Sequence, residues 1–541
     1  MHYRQWFNRK SLETLLAEMA GEHRLRRVLG PVALSSLGVG AIIGAGIFVI
    51  TGRAAAHDAG PAIVVSYLVA ALGCALAALC YAEFAAMAPV AGSAYTYAYA
   101  TLGEIVAWII GWDLILEYSM SCATVASAWS GYLNELLRVT IGWEIPAKLC
   151  VDPFTGVVVD GVRVADAWFN LPAVCILFLV TAILVIGIRE SARVNATLVI
   201  VKLAVVLFVI AMGCWYIEPA NWTEIPTDER VQLPHAADKW GMLGVLGFRE
   251  LLSPLDDHVR SSFAPYGLSG IMLGASIVFF AYIGFDSIST HAEEARRPQR
   301  DVPIGILVSL GLCTVLYIAV AAVITGMVRY PEIDTRAPLA VAFGQRAEAE
   351  QSAVLRWSAA LIAAGGLAGM TSVLLVTFLS QARVFMAMAR DGLLPPVFGH
   401  VHERFRTPHL ATMLTGAIIC VVAALTPIIK LEEMVNIGTL MAFVIVCAAV
   451  LILRVQRPDA VRPFRCPVLY LVAPLGICVN VLLMLFLPVD TWIRLGAWLA
   501  FGLAIYFGYS YRHSVLGQQL WKQIRTQGLS PTDAPLETTP D

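Results

Sequence analysis

Apolar residues in this chain come in long blocks separated by short polar segments. Each block is near the roughly 20 residues that a helix needs to cross the hydrocarbon core of a bilayer. The blocks show no alternation of apolar and polar positions, which favours helices over strands. The pattern predicts an all-α polytopic membrane protein with about twelve spans, near residues 31–51, 61–88, 103–137, 168–188, 195–217, 268–290, 302–328, 355–382, 409–427, 432–453, 468–488 and 491–511.

Composition supports this class. Of the 541 residues, 58% are hydrophobic and 14% are charged, and the mean hydropathy is +0.74. Soluble domains carry roughly 25% charged residues. The net charge of −2 gives no reason to expect a nucleic-acid partner. The eleven cysteines lie mostly in apolar blocks, so we interpret them as small core residues. We expect no cofactor and no metal site, because no HExxH or P-loop motif is present.

The placement of lysine and arginine predicts the orientation. These residues are concentrated in residues 1–30 and in two later loops, which we assign to the cytoplasm. Residues 1–30 do not resemble a signal peptide. We therefore expect a cytoplasmic N-terminal segment (1–30), one membrane transport domain (31–511) and a cytoplasmic tail (512–541). The long loops 143–167 and 218–267 then lie outside, with no function that the sequence assigns.

The first span contains an unusual run of glycines. Four glycines fall within nine residues, from Gly38 to Gly46. Glycine destabilises a helix by roughly 1 kcal/mol relative to alanine, so this helix is predicted to unwind at mid-membrane. Close helix packing through a GxxxG motif is an equally good interpretation of the run alone. A dinucleotide-binding loop is excluded by the spacing and by the absence of a βαβ unit.

The sixth span favours the unwound interpretation. It places Gly284 and Asp286 in mid-span, where an aspartate costs about 2.5–3.5 kcal/mol on insertion scales. Spans one and six are corresponding members of two five-helix halves, and paired interruptions point to a transporter site. Backbone N–H groups of Gly44, Ala45 and Gly46 would hold a substrate carboxylate. Carbonyls freed in span six would accept from its ammonium, and we expect them near Phe280, Ala281 and Ile283.

Five segments resemble the amino acid–polyamine–organocation superfamily, and within it the cationic amino acid transporter family. They read GVGAIIGAGIFVITG (38–52), GWDLILEYSMS (111–121), RESARVNATLVIVKLAVV (189–206), FFAYIGFDSISTHAEEARRPQRDVPIGI (279–306) and GMTSVLLVTFLSQARVFMAMARDGLLP (369–395). The resemblance implies a five-plus-five inverted repeat with broken helices 1 and 6, alternating access and proton rather than sodium coupling. It also implies a substrate site lined by Ile43, Gly44, Ala45, Gly46, Phe280, Ala281 and Ile283.

Lys202 lies within the fifth span. It could snorkel to the interface. We favour a functional role, because ionisable groups inside a membrane are functional candidates by default. In this interpretation the Lys202 ammonium lies against freed carbonyls of the first span and exchanges a proton during transport. The resemblance supports this proton-coupling role.

Two carboxylates lie four residues apart on the third span. Asp113 and Glu117 share one helix face, and two such groups in low dielectric should not both ionise easily. Glu117 would carry a proton or contact the substrate ammonium. The alternative is that both only hold neighbouring helices together.

Met370 opens the central part of the eighth span. It is either an ordinary packing residue or the apolar wall of a side-chain pocket. A pocket wall would favour small neutral substrates over arginine or lysine.

These observations predict a secondary transporter of amino acids across the plasma membrane, the inner membrane in a bacterium. Proton-coupled symport is the first hypothesis and exchange without net proton coupling is the alternative. A channel or membrane enzyme lacks support, since the sequence shows no pore ring and no histidine clearly within a span. A sensor without transport stays open. The substrate's identity and the oligomeric state are not determined by the sequence.

Overall fold

The computed structural model describes residues 3–10, 29–87, 93–159, 162–187, 191–224, 238–402, 407–527 and 537–538. The longer helical segments are α1 (Pro31–Ile42), α2 (residues 46–59), α3 (Ile63–Met87), α4 (Ser93–Thr101), α5 (Glu104–Ile141), α6 (Leu171–Ile186), α7 (Ser191–Gly213), α8 (Phe248–Val259), α9 (Gly267–Val278), α10 (Ser287–Thr290), α11 (Pro298–Met327), α12 (Pro338–Ala349), α13 (Ala353–Arg390), α14 (His409–Leu425), α15 (Ile428–Gln456), α16 (Leu469–Phe486), α17 (Val489–Ile505) and α18 (Val515–Gln527).

Short elements complete the described chain. Single helical turns are Tyr3–Trp6, Ala220–Thr223, Gly241–Val245 and Tyr511–His513. The 3₁₀ turns are Gly60–Ala62, Ala147–Leu149, Cys214–Tyr216, Asp238–Trp240, Phe279–Tyr282, Ala292–Glu294, Tyr330–Glu332 and Pro396–Gly399. The strands form two pairs, parallel β1 (Arg9–Lys10) with β4 (Glu537–Thr538) and antiparallel β2 (Val157–Val159) with β3 (Val162–Ala165).

The all-α polytopic class is confirmed. Within the described residues, nine helical segments are long and apolar enough to cross a membrane, and α1, α6 and α14 are shorter apolar helices. Every predicted block contains a helix, although the count of twelve membrane spans stays a prediction. Local signals set several ends: the Asn170 side chain accepts from the Ala173 N–H to begin α6, and Gly142, in a left-handed conformation, ends α5.

The first predicted span ends too early. We placed its end near residue 51, but α2 continues through two π-helical turns to Ala59. Arg53 therefore lies inside a helix rather than in a loop. The charge is tolerated there because it forms a buried ion pair with Glu432 of α15.

Long central helices form the core. The helix α5 packs along α13 and α15, and α11 packs along α1 and α3. Both ends of the chain meet at one end of this bundle, where Gln5 Nε2 donates to Tyr511 O over 2.8 Å and Lys10 pairs with Asp391 at 2.9 Å. We call this the terminal end and the opposite end the distal end.

Candidate functional site

The first span is broken between α1 and α2. The helix α1 ends at Ile42, and Ile43 is extended with φ −73° and ψ 101°. A π-helical turn begins at Gly46 and opens α2. Residues 43 and 44 therefore interrupt the helix where the glycine run predicted it. The interruption frees backbone groups at the end of α1 and at the beginning of α2.

The second break lies between α9 and α10. The helix α9 ends at Val278, a 3₁₀ turn follows, and Ile283 is extended with φ −60° and ψ 134°. Gly284 has φ +120°, a backbone conformation that side chains other than glycine rarely adopt. Asp286 precedes the short α10 without making a side-chain capping hydrogen bond. The prediction of a broken sixth span is confirmed.

The two breaks touch each other. A Cβ atom added to Gly46 would stand 2.4 Å from the Cα of Ala281, and one added to Gly284 would stand 2.9 Å from the backbone carbon and oxygen of Ala41. Contacts this close require glycine at both positions. The beginning of α2 and the second break therefore lie directly against each other.

Tyr317 of α11 joins the two breaks. Its hydroxyl lies 2.9 Å from Ile42 O and 2.8 Å from Ala281 O. A hydroxyl carries one proton, so it can donate to only one of these carbonyls at a time. Sequence reasoning did not select Tyr317, since a single tyrosine in an apolar span carries no signal of its tertiary contacts.

Lys202 of α7 lies against the end of α1. Its Nζ donates to Ile43 O over 3.0 Å and also to Gly40 O, and the residue is fully buried. Within the described part of the chain it forms no ion pair with a carboxylate. Its ammonium therefore meets the carbonyl end of a helix, which carries partial negative charge. This contact is the one we expected from the sequence, and snorkelling to the interface is excluded by the burial.

One face of α13 packs against the first break and against Lys202. A Cβ on Gly369 would lie 3.2 Å from Lys202 Cβ, and a Cβ on Gly44 would lie 2.9 Å from Val373 Cγ2. Met370 is three residues before Val373 and is its neighbour on the helix surface. It is fully buried. The structure thus buries Met370 about one helical turn before Val373, the residue that packs against Gly44.

Buried carboxylates flank the second break. Tyr118 of α5 donates to Asp286 Oδ2 over 3.1 Å, and Glu117 precedes it in the same helix, near enough to interact with Asp286 and Asp113. The Asp113 carboxylate contacts the backbone of α15, where a Cβ on Gly438 would stand 2.7 Å from its Oδ1. Among the described residues, none of the three carboxylates forms an ion pair with a lysine or arginine.

The predicted site residues therefore fall into two groups. Seven of them line the touching breaks: Ile43, Gly44, Ala45, Gly46, Phe280, Ala281 and Ile283. Lys202 borders the first break, Met370 is buried about one turn before Val373 on α13, and Glu117 lies near Asp286, which follows the second break. Besides Tyr317, hydroxyl groups that the sequence did not single out hold α2 in place: Tyr132 donates to Phe48 O over 2.7 Å, and Thr51 Oγ1 donates to Gly46 O over 3.0 Å.

Ion pairs lie on either side of this region. Arg53 of α2 pairs with Glu432 of α15 towards the distal end, and both are buried. Towards the terminal end, Arg383 of α13 pairs with Glu294 at 3.3 Å, with about a quarter of each side chain exposed. No group of three or more histidine, cysteine or acidic side chains in the described ranges could hold a metal ion.

Comparison with known proteins identifies the family. Residues 29–504 match the model of the amino acid permease family. The chain belongs to this family. The branched-chain amino acid permease BcaP of Bacillus subtilis (strain 168) is 41% identical over 515 residues, which are 95% of this chain and 99% of that protein.

Two further relatives show how varied the related transporters are. The methylthioribose transporter of Bacillus subtilis (strain 168) is 40% identical over 515 residues, 95% of this chain and 99% of that protein. The human cationic amino acid transporter 4 is 35% identical over 451 residues, 82% of this chain and 62% of that protein. The resemblance indicated by the sequence motifs is confirmed at the level of the family.

Proposed function

We propose that this permease is a proton-coupled symporter that carries small neutral amino acids across the plasma membrane by alternating access. Both termini would lie in the cytoplasm, so the distal end faces outward. The contact between the two broken helices supports this proposal most directly, because it sets N–H groups and carbonyl groups a few ångströms apart. An amino acid carries its carboxylate and ammonium on one carbon and fits such a pair.

The recognition geometry follows from the chemistry of each break. The N–H groups at the start of α2, from Gly44 to Gly46, would bind the carboxylate at the positive end of the helix dipole. The carbonyls near Phe280, Ala281 and Ile283 would accept from the ammonium. Glu117 would attract the same ammonium, through water or across the second break, or carry a proton.

Substrate size would be set beside the first break. Val373 packs on Gly44 and Met370 shares its helix face. Apolar bulk at this point leaves little room for a long cationic side chain, which favours small neutral substrates. The relatives transport different compounds by name, so this preference rests on the residues and not on the relatives.

Lys202 would couple transport to protons. As an ammonium it binds the Gly40 and Ile43 carbonyls and holds the end of α1 against α7. A neutral amine would bind these carbonyls less strongly, since charge-assisted hydrogen bonds are roughly twice as strong as neutral ones. Loss of the proton would therefore loosen α1, and its return would restore the contact.

The ion pairs Arg53–Glu432 and Arg383–Glu294 would act as barriers on the two sides. Alternating access requires that at least one path to the site is closed at any time. The buried pair lies towards the outward-facing distal end, and the pair that is about a quarter exposed lies towards the cytoplasmic end.

Uptake by purified protein in liposomes tests the proposal. Labelled alanine is offered with an inward proton gradient and no sodium, beside the variants Lys202→Ala and, as a matched control, Lys430→Ala in the surface cluster with Asp490. We expect accumulation that an uncoupler abolishes, that Lys202→Ala loses and that Lys430→Ala keeps. Exchange with preloaded alanine but no accumulation would instead establish an exchanger. Competition by unlabelled leucine, arginine and methylthioribose separates the substrate classes, and competition by methylthioribose alone would contradict the proposal.

A further inference from the structure

The loop between α7 and α9 carries a helix with an exposed apolar stripe. In α8, Phe248, Leu251 and Leu255 are 46%, 73% and 50% exposed, and they follow each other at helical spacing. Val245 and Leu246 just before the helix are exposed as well. Large apolar side chains exposed together in this way mark a surface that contacts something other than water.

The side chains of α8 divide into three sectors. At about 100° per residue, Phe248, Leu251 and Leu255 fall within about 60° of one another, and Asp257 lies on the opposite side of the helix. Asp256 is buried and lies between these two directions. Glu250 and Asp257 are exposed on the polar side. The helix therefore has one side for the protein, one apolar side and one side for water.

The protein side fixes where α8 lies. The Asp256 carboxylate accepts from the Ser269 N–H over 2.7 Å, at the first turn of α9. Next to it, a small apolar cluster joins the loop to the distal ends of α9 and α16, and it contains Trp240, Leu243, Leu252, Met272, Leu485 and Phe486. The helix α8 is thus attached at the distal ends of two helices that are apolar enough to cross the membrane.

We propose that α8 lies along the bilayer surface, with its apolar stripe in the headgroup–acyl boundary. Its 12 residues extend about 18 Å, too short to cross the roughly 30 Å hydrocarbon core. The turn before α8 and its Leu252 pack near Phe486 at the distal end of α16, and Leu482 of that helix is 41% exposed. A short helix with an apolar side, a charged side and this position has the features of an interfacial helix.

The apolar stripe of α8 contacts lipid, and this contact does not require anionic headgroups. The polar side chains of α8 carry no excess of positive charge, because exposed Arg249 is balanced by Glu250, and Arg260 just after the helix lies 2.9 Å from Asp256 and 3.9 Å from Asp257. Lysine and arginine are the residues that give interfacial helices their preference for anionic lipids. Binding through the apolar stripe should therefore occur in zwitterionic phosphatidylcholine.

The loop that carries α8 also contacts α2, the second half of the first broken helix. Lys239, in the same loop as α8, pairs with Asp58 at 2.9 Å and lies 4.8 Å from the ring centroid of Tyr266. The Tyr266 hydroxyl donates to Ala56 O over 2.8 Å. Both bonds hold the distal end of α2, so a lipid-bound α8 braces the half-helix that borders the candidate site.

Photolabelling of the native chain tests the proposal. The protein is reconstituted in phosphatidylcholine vesicles that contain a phosphatidylcholine with an aryl trifluoromethyl diazirine near the glycerol end of one acyl chain. Labelled residues are then mapped by mass spectrometry, with Leu482 as the lipid-facing reference. We expect adducts on Phe248, Leu251 and Leu255 and none on Glu250 or Asp257. Adducts on Leu482 without any on the stripe would overturn the proposal.

A pair of double variants sharpens the result. Leu251→Glu with Leu255→Glu should lower labelling of Phe248 at least about 5-fold, because carboxylates are costly to place among acyl chains. Glu250→Gln with Asp257→Asn changes as many side chains on the opposite side and should leave the stripe labelled. Chemical crosslinking of two chains through α8, with no lipid adducts, would identify a second copy as the occupant and refute the lipid assignment.

Discussion

The two breaks share a backbone design and differ in charge. At the first, the carbonyl end of α1 meets the buried cation Lys202. At the second, the neighbouring side chains are the carboxylates Asp286, Glu117 and Asp113, with no ion-pair partner among the described residues. The protein therefore supplies its own cation on one side and leaves carboxyl groups without a counter-ion on the other. A substrate ammonium or a proton would be attracted to the second break.

The largest expected effect comes from substitutions that force the two breaks apart. Gly46→Ala would force a methyl group into the Ala281 backbone, and Gly284→Ala would add strain at φ +120° to a clash with Ala41. We expect uptake to fall to background for both, with the midpoint of thermal unfolding lowered more for Gly284→Ala. Gly496→Ala on α17 is the matched control, since nothing lies within 4 Å of its added Cβ. Near-normal uptake by Gly46→Ala would show that the breaks need not touch.

The charge difference is tested at Glu117. Glu117→Gln keeps the shape of the side chain and removes its ability to ionise or to exchange a proton. We expect the KM for alanine uptake to rise about tenfold, because hydrogen bonds to charged groups contribute about 1.5–3 kcal/mol. Glu332→Gln in the short distal turn Tyr330–Glu332 is the control. An unchanged KM and maximal rate would leave Glu117 a packing residue.

A smaller effect is expected where one side chain joins the breaks. Tyr317→Phe removes the hydroxyl that faces Ile42 O and Ala281 O and retains the ring. The loss of one neutral hydrogen bond is worth about 1 kcal/mol, or about 5-fold in uptake rate. The readout is the initial rate of alanine uptake. Tyr470→Phe, at an exposed position on α16, should leave that rate unchanged.

The smallest effect concerns substrate size beside the first break. Met370→Ser removes apolar bulk next to Val373, and we expect alanine uptake to stay within about twofold since the backbone contacts remain. Competition by larger amino acids such as arginine should increase. If the inhibition profile across amino acids of different size is the same as in the wild type, Met370 is a packing residue only.

Much of the candidate site was predictable because its chemistry is unusual for a membrane. Glycines clustered from Gly38 to Gly46, a buried lysine at Lys202 and an aspartate at Asp286 are each costly inside lipid, so each is visible in the sequence. Arg53 is costly too, but we placed it in a loop, because its compensation by Glu432 depends on a helix distant in sequence. The amphipathic pattern of α8 is local and is therefore also visible in the sequence.

The sequence by itself determined the membrane class, the positions of both breaks and the candidate residues on them, since these follow from local composition and from the cost of polar groups in lipid. Only the tertiary structure decided that Gly46 packs on Ala281, that Gly284 packs on Ala41 and that Tyr317 lies between both breaks. These contacts join segments far apart in the chain. They depend on which helix faces meet, and no local pattern of apolar and polar residues specifies that.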